Sequence, residues 1–513
     1  MTPAITNVVV VMFENRSYDN VLGMLYNSSY PAPYNQAPSG QADLQGLSGS
    51  ESNPNPNGNP ITVAPAVNNP NAKPPVLATA IPTADPGEPF MDMAQQILGL
   101  ENRPTDGNPY AAGAGTYGMM GGFVANYLLQ GNNPVPEEIM MYMTPELMPV
   151  TAFLANNYMV CDEWFGSIPT QTFANRLYSL CADSGTWATD LFDHTYSYIN
   201  DSEYLGVPST DPLYKAKAVY NDKPPALTAP SQMLDLPSVF AQLDAVLGVT
   251  QQSGSGPDFP SWKVYFHDYS LTANLLQYVK TQFLSSTSLN IGQYDNSDYT
   301  SSTTHLANRN FTTFAEDLAA GTLASFTLIE PRYSNNYSGA ATGNQGNSNH
   351  PGLQGYPPLT AGTGQIDTYY GELLLLDIYT QLRNSSYWPG TLLIVTYDEH
   401  GGCYDHVPPV MGMVPPSPST PNTFTGFDFT VSGPRVPTLV ISPFAQAGSA
   451  LRAPSGSTFD HTSIIRTLWD CFNLGCNGTV SITARDAAAA SIVPALSSSA
   501  VNSTGVPPTP SHP

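Results

Sequence analysis

The chain has 513 residues, of which 41% are hydrophobic and 11% aromatic, enough to build a large core, so a generally disordered protein is excluded. Sixteen Lys and Arg face forty Asp and Glu, which gives a formal net charge of −24. So few cations cannot form the phosphate-neutralising face of a nucleic-acid-binding protein. No apolar run reaches the roughly 18–20 residues of a membrane-spanning helix, so we expect neither nucleic acid partners nor an integral membrane segment.

The first predicted element is a buried parallel strand at residues 5–13, because this run is largely β-branched and ends in polar residues. The alternation of strands and helices along the chain predicts an α/β sandwich around a mostly parallel sheet, in one domain over residues 1–496. The further elements are helices 122–129 and 145–158, strand 159–161, helices 173–181 and 238–247, strand 262–266, helices 272–284 and 311–319, strand 325–329, helix 368–383, strands 392–397 and 438–441, and helix 462–472.

Three segments are predicted to add little to this core. Residues 31–89 are crowded with Pro, Asn, Gly and Ser and indicate a long excursion. Residues 408–434 form a second Pro-rich segment that could overhang a site, and the Ser/Pro-rich tail 497–513 is expected to be disordered.

The compartment in which the protein works is weakly indicated. The N-terminus lacks a basic segment followed by a long apolar one, so no signal peptide is expected in this chain. Scarce Lys and eight Asn-x-Ser/Thr sequons favour secretion over a cytoplasmic location. The five cysteines leave at least one thiol unpaired within the chain, and the spacing of Cys471 and Cys476 would allow a small loop without proving it.

Metal-competent side chains directly follow two of the predicted strands. Glu14 and Asn15 follow the first strand, and Asp398 and Glu399 follow the strand that ends at Tyr397. In open parallel sheets ligands bind beyond the carboxyl ends of the strands, so these oxygen donors would converge on one sheet edge. Unpaired, they would repel one another, and a divalent cation is their natural partner. Each pair alone could instead cap a following helix.

Thr172 is the candidate nucleophile. It lies where a helix pattern begins, and the backbone N–H groups of a helix N-terminus favour an alkoxide or a bound phosphate. A threonine hydroxyl is a poor nucleophile unless it is activated, for example by a metal. Taken by itself, this segment fits a simple helix N-cap better.

Three histidines are candidates for phosphoryl binding or for protonation of a leaving group: His350, His406 and His461. His350 lies in a polar, Gly-rich loop, His406 follows the Asp398–Glu399 turn, and His461 opens a helix. The position of His400 in that turn fits a structural role equally well.

Taken together, these segments resemble the phosphoesterase family that contains non-specific phospholipases C and certain bacterial acid phosphatases. The resemblance runs from residue 5 to about residue 487. Its marks are Glu14 to Asn20, Thr172 to Arg176, His350-Pro351 and Asp398 to Pro409, with support from Val160 to Phe165, Ser261 to Tyr265, Arg435 to Pro437 and Asp460 to Ser463.

The resemblance implies an alkaline-phosphatase-like three-layer sandwich that hydrolyses phosphate esters with one divalent cation. By this resemblance Glu14, Asn15, Thr172, Asp398 and Glu399 would hold the metal, with Thr172 also the nucleophile. His350, His406 and His461 would bind the phosphoryl group or assist the leaving group. An oxygen-rich shell suits Ca²⁺, Mg²⁺ or Mn²⁺, and Zn²⁺ also remains open.

The chain departs from the family pattern at several positions. Glu88 stands where many members have His, and a carboxylate donates to a phosphoryl oxygen only when protonated, so substrate or pH range would differ. Ala174 replaces a Pro in the nucleophile segment, and Asn20 replaces a His at the end of the first motif.

The favoured function is a phospholipase C-like hydrolase acting through a phosphothreonine intermediate. The alternatives are an acid phosphatase acting on small phosphomonoesters and a non-catalytic binding relative. The Pro-rich loops, with Met411, Met413, Phe424, Phe427 and Phe429, would form either an apolar rim for a diacylglycerol or a closed lid. The oligomeric state is open.

Overall fold

The computed structural model describes most of the chain. The described residues are 3–28, 30, 32–35, 37, 44–69, 71, 76–104, 108–111, 119–131, 133–184, 236–248, 259–267, 270–285, 287–295, 311–333, 345–352, 367–417, 426–474, 481–502 and 505–511. All statements below concern these residues. Among them, no helix is both long enough and apolar enough to cross a membrane.

The core is one eight-stranded sheet. Its strands, in chain order, are β1 (Asn7–Phe13), β2 (Met159–Cys161), β3 (Trp262–Phe266), β4 (Ile291–Gln293), β5 (Phe326–Ile329), β6 (Thr391–Tyr397), β7 (Thr438–Ile441) and β8 (Ser449–Ala450). They lie side by side in the order β8-β2-β7-β6-β1-β5-β3-β4. Five neighbouring pairs are parallel and two, β6 with β7 and β7 with β2, are antiparallel. The predicted α/β class with a mostly parallel sheet is confirmed.

Helices cover the sheet in two groups. The helices are α1 (Tyr18–Leu22), α2 (Phe90–Leu98), α3 (Phe123–Tyr127), α4 (Pro149–Asn157), α5 (Thr172–Cys181), α6 (Val239–Val246), α7 (Leu271–Leu275), α8 (Gln277–Leu284), α9 (Phe314–Ala320), α10 (Thr368–Asn384), α11 (Thr462–Phe472) and α12 (Ala484–Ala488). Helix α10 packs against α4 and α9, whereas α5 packs against α11 and α6. Because β1 and β6 are buried along their whole length, both faces of the sheet need such cover.

Short elements complete the architecture. Three two-stranded sheets pair Ser52–Asn53 with Ile61–Thr62, Ala64–Pro65 with Met141–Tyr142, and Trp164–Phe165 with Phe459–Asp460. Four 3₁₀ turns lie at Ala78–Ala80, Glu138–Met140, Trp388–Gly390 and Val493–Ala495.

Most predicted elements occur within a few residues of their expected bounds. The predicted helix 272–284 is instead two helices, because Leu276 between them is extended, with φ −112° and ψ 123°. The sequence patterns missed helix α2 and strand β4 altogether, and β4 is only three residues long.

Two predictions about peripheral segments need correction. The excursion at 31–89 does carry core, since Leu47, Ile61 and Val63 are buried in a second hydrophobic cluster with helices α2 and α3. Part of the tail, predicted to be disordered, lies against the domain: Asn502 Nδ2 donates to Ala445 O at 3.2 Å, and Tyr379 OH donates to Gly505 O at 3.2 Å. The single-domain assignment stays a prediction.

The described cysteines Cys161, Cys181, Cys403 and Cys471 are free thiols. Cys476 lies outside the described residues, so the loop suggested by its spacing from Cys471 stays a prediction.

Candidate active site

The site lies where β1 and β6, two neighbouring parallel strands at the centre of the sheet, end. Phe13 and Tyr397 are paired in register, so the residues that follow them, Glu14 and Asp398, come out side by side. The backbone N–H of Asn15 donates to Asp398 Oδ1 at 3.0 Å and joins the two turns. All four predicted oxygen donors of these turns are buried: Glu14, Asn15, Asp398 and Glu399.

Gly401 lets the two turns approach each other. Its φ is +63°, and a Cβ at this position would lie 1.9 Å from the backbone oxygen of Asn15. No side chain fits there, so the contact that holds the turns together depends on glycine.

Thr172 is the first residue of helix α5, and the preceding Gln171 occupies the N-cap position. The N-cap interpretation of Thr172 is therefore wrong. Thr172 is 8% exposed, and its Oγ1 donates to Asn15 Oδ1 at 3.3 Å. The hydroxyl thus points at the sheet edge that carries the carboxylates.

Arg176, one turn along the same helix, enters the site as its cation. Its Nε donates to Asp398 Oδ2 at 3.0 Å, and its Nη2 lies 3.9 Å from Glu14 Oε1. Nη2 also donates to the carbonyl oxygens of Met12 and Phe13 at the end of β1. The i, i+4 spacing places Thr172 and Arg176 on one helix face. The sequence contained this spacing, but by itself it did not indicate a role for Arg176.

Glu399 has one satisfied and one unsatisfied oxygen. The backbone N–H of Gly401 donates to Oε2 at 2.6 Å, whereas Oε1 is buried without a hydrogen-bond partner among the described residues. His400 beside it lies with Nδ1 3.4 Å from Glu399 Oε2 and is held through Nε2 by Gln96 Oε1 at 2.8 Å. A buried carboxylate oxygen with no donor indicates a place for a cation.

A second group of ligand-type residues adjoins this edge. Glu88 Oε1 accepts a hydrogen bond from Asn15 Nδ2 at 2.5 Å and lies 3.5 Å from His350 Nε2. His350 Nδ1 is 2.7 Å from Pro351 O and 3.8 Å from Asp85 Oδ1. The sequence singled out His350 and noted Glu88 only as a departure from the family pattern. Asp85 was not recognised as a site residue, because the Asp85-Pro86-Gly87-Glu88 segment lay in the Pro-rich excursion.

His461 contacts the site through the backbone of Asp398. The indole N–H of Trp164 donates to its Nδ1 at 3.3 Å, which leaves the proton on Nε2, and Nε2 donates to the backbone oxygen of Asp398 at 2.5 Å. With both ring nitrogens engaged, this geometry favours a role in positioning Asp398 over the predicted contact with substrate.

His406 belongs to a separate ion cluster. Its Nδ1 and backbone N–H both contact Asp19 Oδ2 at 2.7 Å. The buried Arg435 binds Asp19 Oδ1 and Asp405 Oδ1 at 2.9 Å each and stacks over the Tyr18 ring. His406 is thus bound to Asp19, and its predicted catalytic role gains no support from these contacts.

Burial governs the ionisation of the site. Desolvation raises the pKa of Glu14 to about 8, and it raises the pKa of Glu88 and Glu399 well above their usual range. After burial, the charge of Asp398 is the next cause for Glu399, and the charges of Asp85 and Glu399 are the next causes for Glu88. Burial lowers the pKa of His350 to about 4, so its imidazole is neutral. The site therefore contains more carboxylates than Arg176 can neutralise, which suits a bound cation.

Two sets of three acidic or His side chains bring their ligand atoms within 4.8 Å of one another among the described residues. One is Asp19, Asp405 and His406; the other is Asp85, Glu88 and His350. The predicted carboxylates Glu14, Asp398 and Glu399 are not such a set among the described residues, and Arg176 contacts both Glu14 and Asp398.

The apolar rim predicted in the second Pro-rich segment is only partly exposed. Phe427 and Phe429 are buried and pack against each other, and Phe427 also packs against Phe90, whereas Met411 is 59% exposed. Met411 and Met413 line a cavity of about 270 Å³ that also contacts Asp460, the neighbour of His461. Phe424 lies outside the described residues.

Comparisons with known proteins place the chain in a family. Residues 5–475 match the phosphoesterase family. Non-specific phospholipase C6 of Arabidopsis thaliana is 29% identical over 95% of this chain and 71% of its own length, and non-specific phospholipase C3 of the same plant is 29% identical over 92% and 70%. A solved protein of the alkaline phosphatase superfamily from Vibrio parahaemolyticus aligns with a TM-score of 0.29 and 13% identity over 64% of this chain and 60% of its own.

The chain belongs to the phosphoesterase family, as its sequence motifs indicated. It is a phosphoric ester hydrolase.

Proposed function

We propose that this hydrolase is a cation-dependent phospholipase C-like enzyme that works through a phosphothreonine intermediate. The observation that carries the proposal is the Thr172 hydroxyl at the start of helix α5, 3.3 Å from Asn15 Oδ1 and beside the buried carboxylates of Glu14, Asp398 and Glu399. Such a hydroxyl lies among the backbone N–H groups of a helix N-terminus, where developing negative charge is stabilised.

The residues present fit a divalent cation. Glu14, Asn15, Thr172, Asp398 and Glu399 would hold it, and the unpartnered Glu399 Oε1 together with the excess of carboxylates over Arg176 supports this assignment. When bound, such a cation lowers the pKa of a coordinated hydroxyl and neutralises charge on phosphoryl oxygens.

In the proposed reaction, Thr172 Oγ1 attacks phosphorus and the alcohol departs in line with it, which leaves a phosphoryl group on Thr172. Water then hydrolyses this ester and restores the threonine. Arg176 holds Asp398 and Glu14 in place, and His461 orients the Asp398 backbone. The protonation of the leaving oxygen, predicted for a histidine, stays a prediction, because His350 Nδ1 contacts Pro351 O and both nitrogens of His461 are engaged.

The proposed substrate class is a phospholipid. The curated relatives that align with most of this chain are non-specific phospholipases C. The exposed Met411, together with Met413 in the cavity beside it, would offer contact surface for lipid chains, which a small phosphomonoester does not need.

The first experiment replaces Thr172 with Val, which keeps the side-chain shape but removes the hydroxyl. We expect kcat to fall by about 10³-fold or more, because the nucleophile is lost. Thr172→Ser, which keeps a hydroxyl, is the matched control and should retain turnover and form a phosphoryl adduct detectable by mass spectrometry after acid quench. Full turnover in Thr172→Val would contradict the mechanism.

A second experiment distinguishes a phospholipase C-like enzyme from an acid phosphatase. Hydrolysis of an aryl phosphocholine and of a simple aryl phosphate is compared with and without a chelator. Cleavage of the diester with little monoesterase activity, lost on chelation, is the expected result. The reverse preference would make the protein an acid phosphatase.

A further inference from the structure

We propose that Asp85, Glu88 and His350 form a second divalent-cation site beside the first, so that this centre binds two cations. The inference rests on the proposed function, since the second cation would face the same phosphoryl group. It goes beyond the single cation that the family resemblance implies.

The three side chains are arranged as ligands. One ligand atom from each lies within 4.8 Å of the others. His350 Nδ1 donates to Pro351 O at 2.7 Å, which leaves the lone pair on Nε2, and this nitrogen is 3.5 Å from Glu88 Oε1. Metal-bound histidines commonly donate their other ring N–H to a backbone carbonyl in this way, which fixes the tautomer. Two electron-pair donors that face each other suit a cation between them.

The charge balance of the whole edge supports a second ion. Five carboxylates (Glu14, Asp85, Glu88, Asp398 and Glu399) share this edge with two buried guanidiniums: Arg176, which contacts Glu14 and Asp398, and Arg16, whose charge acts on His350. When all five carboxylates are ionised, three negative charges remain, which is more than one divalent cation neutralises. The 2% exposed Glu399 carries an oxygen without a hydrogen-bond partner within the described part of the chain, and its charge acts on Glu88.

Asn15 joins the two sites. Its Oδ1 accepts from Thr172 Oγ1, whereas its Nδ2 donates to Glu88 Oε1 at 2.5 Å. One amide therefore faces the nucleophile with its oxygen and the second ligand group with its nitrogen, which sets the two groups side by side. A ligand set of one imidazole and two carboxylates favours Mn²⁺ or Zn²⁺ over the harder Ca²⁺ and Mg²⁺. In this arrangement His350 acts as a cation ligand and no longer as the predicted hydrogen-bond donor to phosphoryl oxygen.

The test counts bound Mn²⁺ in the full chain after it has been stripped with a chelator and dialysed. Free Mn²⁺ is followed by electron paramagnetic resonance during a titration. We expect two ions per chain in the wild-type protein and one in Glu88→Gln. Glu137→Gln, which removes an exposed carboxylate outside both groups, is the matched control and should still bind two.

A second variant guards against a folding defect in Glu88→Gln. The Asp85 side chain is 47% exposed, so Asp85→Asn should fold, which its circular dichroism will check, and it should also bind one Mn²⁺. Two ions retained in Asp85→Asn, or in a folded Glu88→Gln, would overturn the second site.

The count also separates this inference from the proposed function. A wild-type protein that binds one Mn²⁺ and needs it for hydrolysis would remove the second site and leave the proposed function intact. A protein that binds no ion and hydrolyses substrate in chelator would overturn both cation sites.

Discussion

Two acidic clusters, each with residues that follow β1 and β6 in the chain, differ in how their charge is balanced. In the cluster of Asp19 and Asp405, the buried Arg435 bonds both carboxylates and His406 bonds Asp19. In the cluster around Glu14, Asp398, Glu399, Asp85 and Glu88, Arg176 is the one guanidinium in contact among the described residues, and a Glu399 oxygen has no partner there. Protein side chains balance the charges of the first cluster, whereas the second cluster needs protons or bound cations. This difference separates a structural cluster from a candidate active site.

The largest effect on stability is expected from removal of the Arg435 guanidinium, which balances the cluster of Asp19 and Asp405. Arg435→Met should lower the free energy of unfolding by about 3–5 kcal/mol, because Asp19 and Asp405 would stay buried without their partner. Urea denaturation measures it, and added Mn²⁺ should not restore the loss. Arg466→Met, which breaks a surface pair with Asp470, is the control and should cost below about 1 kcal/mol. Equal losses in both variants would contradict the comparison.

When no cation is bound, the unbalanced cluster around Glu14 should make the stability of the protein depend on pH. Glu14 has a pKa of about 8 in the folded protein against 4.5 as its ordinary value, so the folded state holds more protons than the unfolded one between these values. The chelated protein should therefore lose stability, by roughly 2–4 kcal/mol, as the pH rises from 4.5 to 8.

Thermal unfolding with and without Mn²⁺ at pH 5 and pH 8 checks this. The rise in Tm on Mn²⁺ addition should be larger at pH 8, where the ionised carboxylates gain most from a cation. If the chelated protein is equally stable at both pH values, the charges of the cluster around Glu14 are balanced without a bound cation.

His461→Gln tests whether this histidine positions Asp398 or protonates the leaving group. Loss of a positioning hydrogen bond should lower kcat by about ten-fold, for aryl and alkyl leaving groups alike. A general acid would matter much more for the poor alkyl leaving group. An effect confined to alkyl esters would therefore restore the acid role predicted from sequence.

The smallest effect is expected at the partly exposed His406. The hydrogen bond to Asp19 raises its pKa against the opposing effect of burial, so protonated His406 adds stability below its ordinary pKa of 6.5, which is lost as pH rises through the raised value. His406→Gln should cost below about 1 kcal/mol at pH 6 and flatten the pH dependence of Tm between pH 6 and 8. A fall in kcat with no change in this profile would instead support a catalytic role.

Most strands of the sheet could be predicted because their local sequence marks them, although the three-residue β4 was missed. The β-branched run of β1 and the polar residues that follow it locate the end of the strand, and the same is true of β6. Since parallel strands end at one edge, Glu14, Asn15, Asp398 and Glu399 could be placed at that edge from the sequence, whereas their role as cation ligands stays a prediction. The excursion could not be judged in this way, because Ile61 and Val63 are buried by contacts with distant helices.

The sequence by itself determined the fold class, the family and the hydroxyl and oxygen donors at the sheet edge, because these depend on neighbouring residues and on motif spacing. Only the tertiary structure decided the charge balance: which carboxylates Arg176 reaches, that Arg435 completes the other cluster, and that Asp85 and Glu88 meet His350. Most of those contacts join residues that are far apart in the chain, and electrostatic energy depends on distance and burial, which no local pattern encodes.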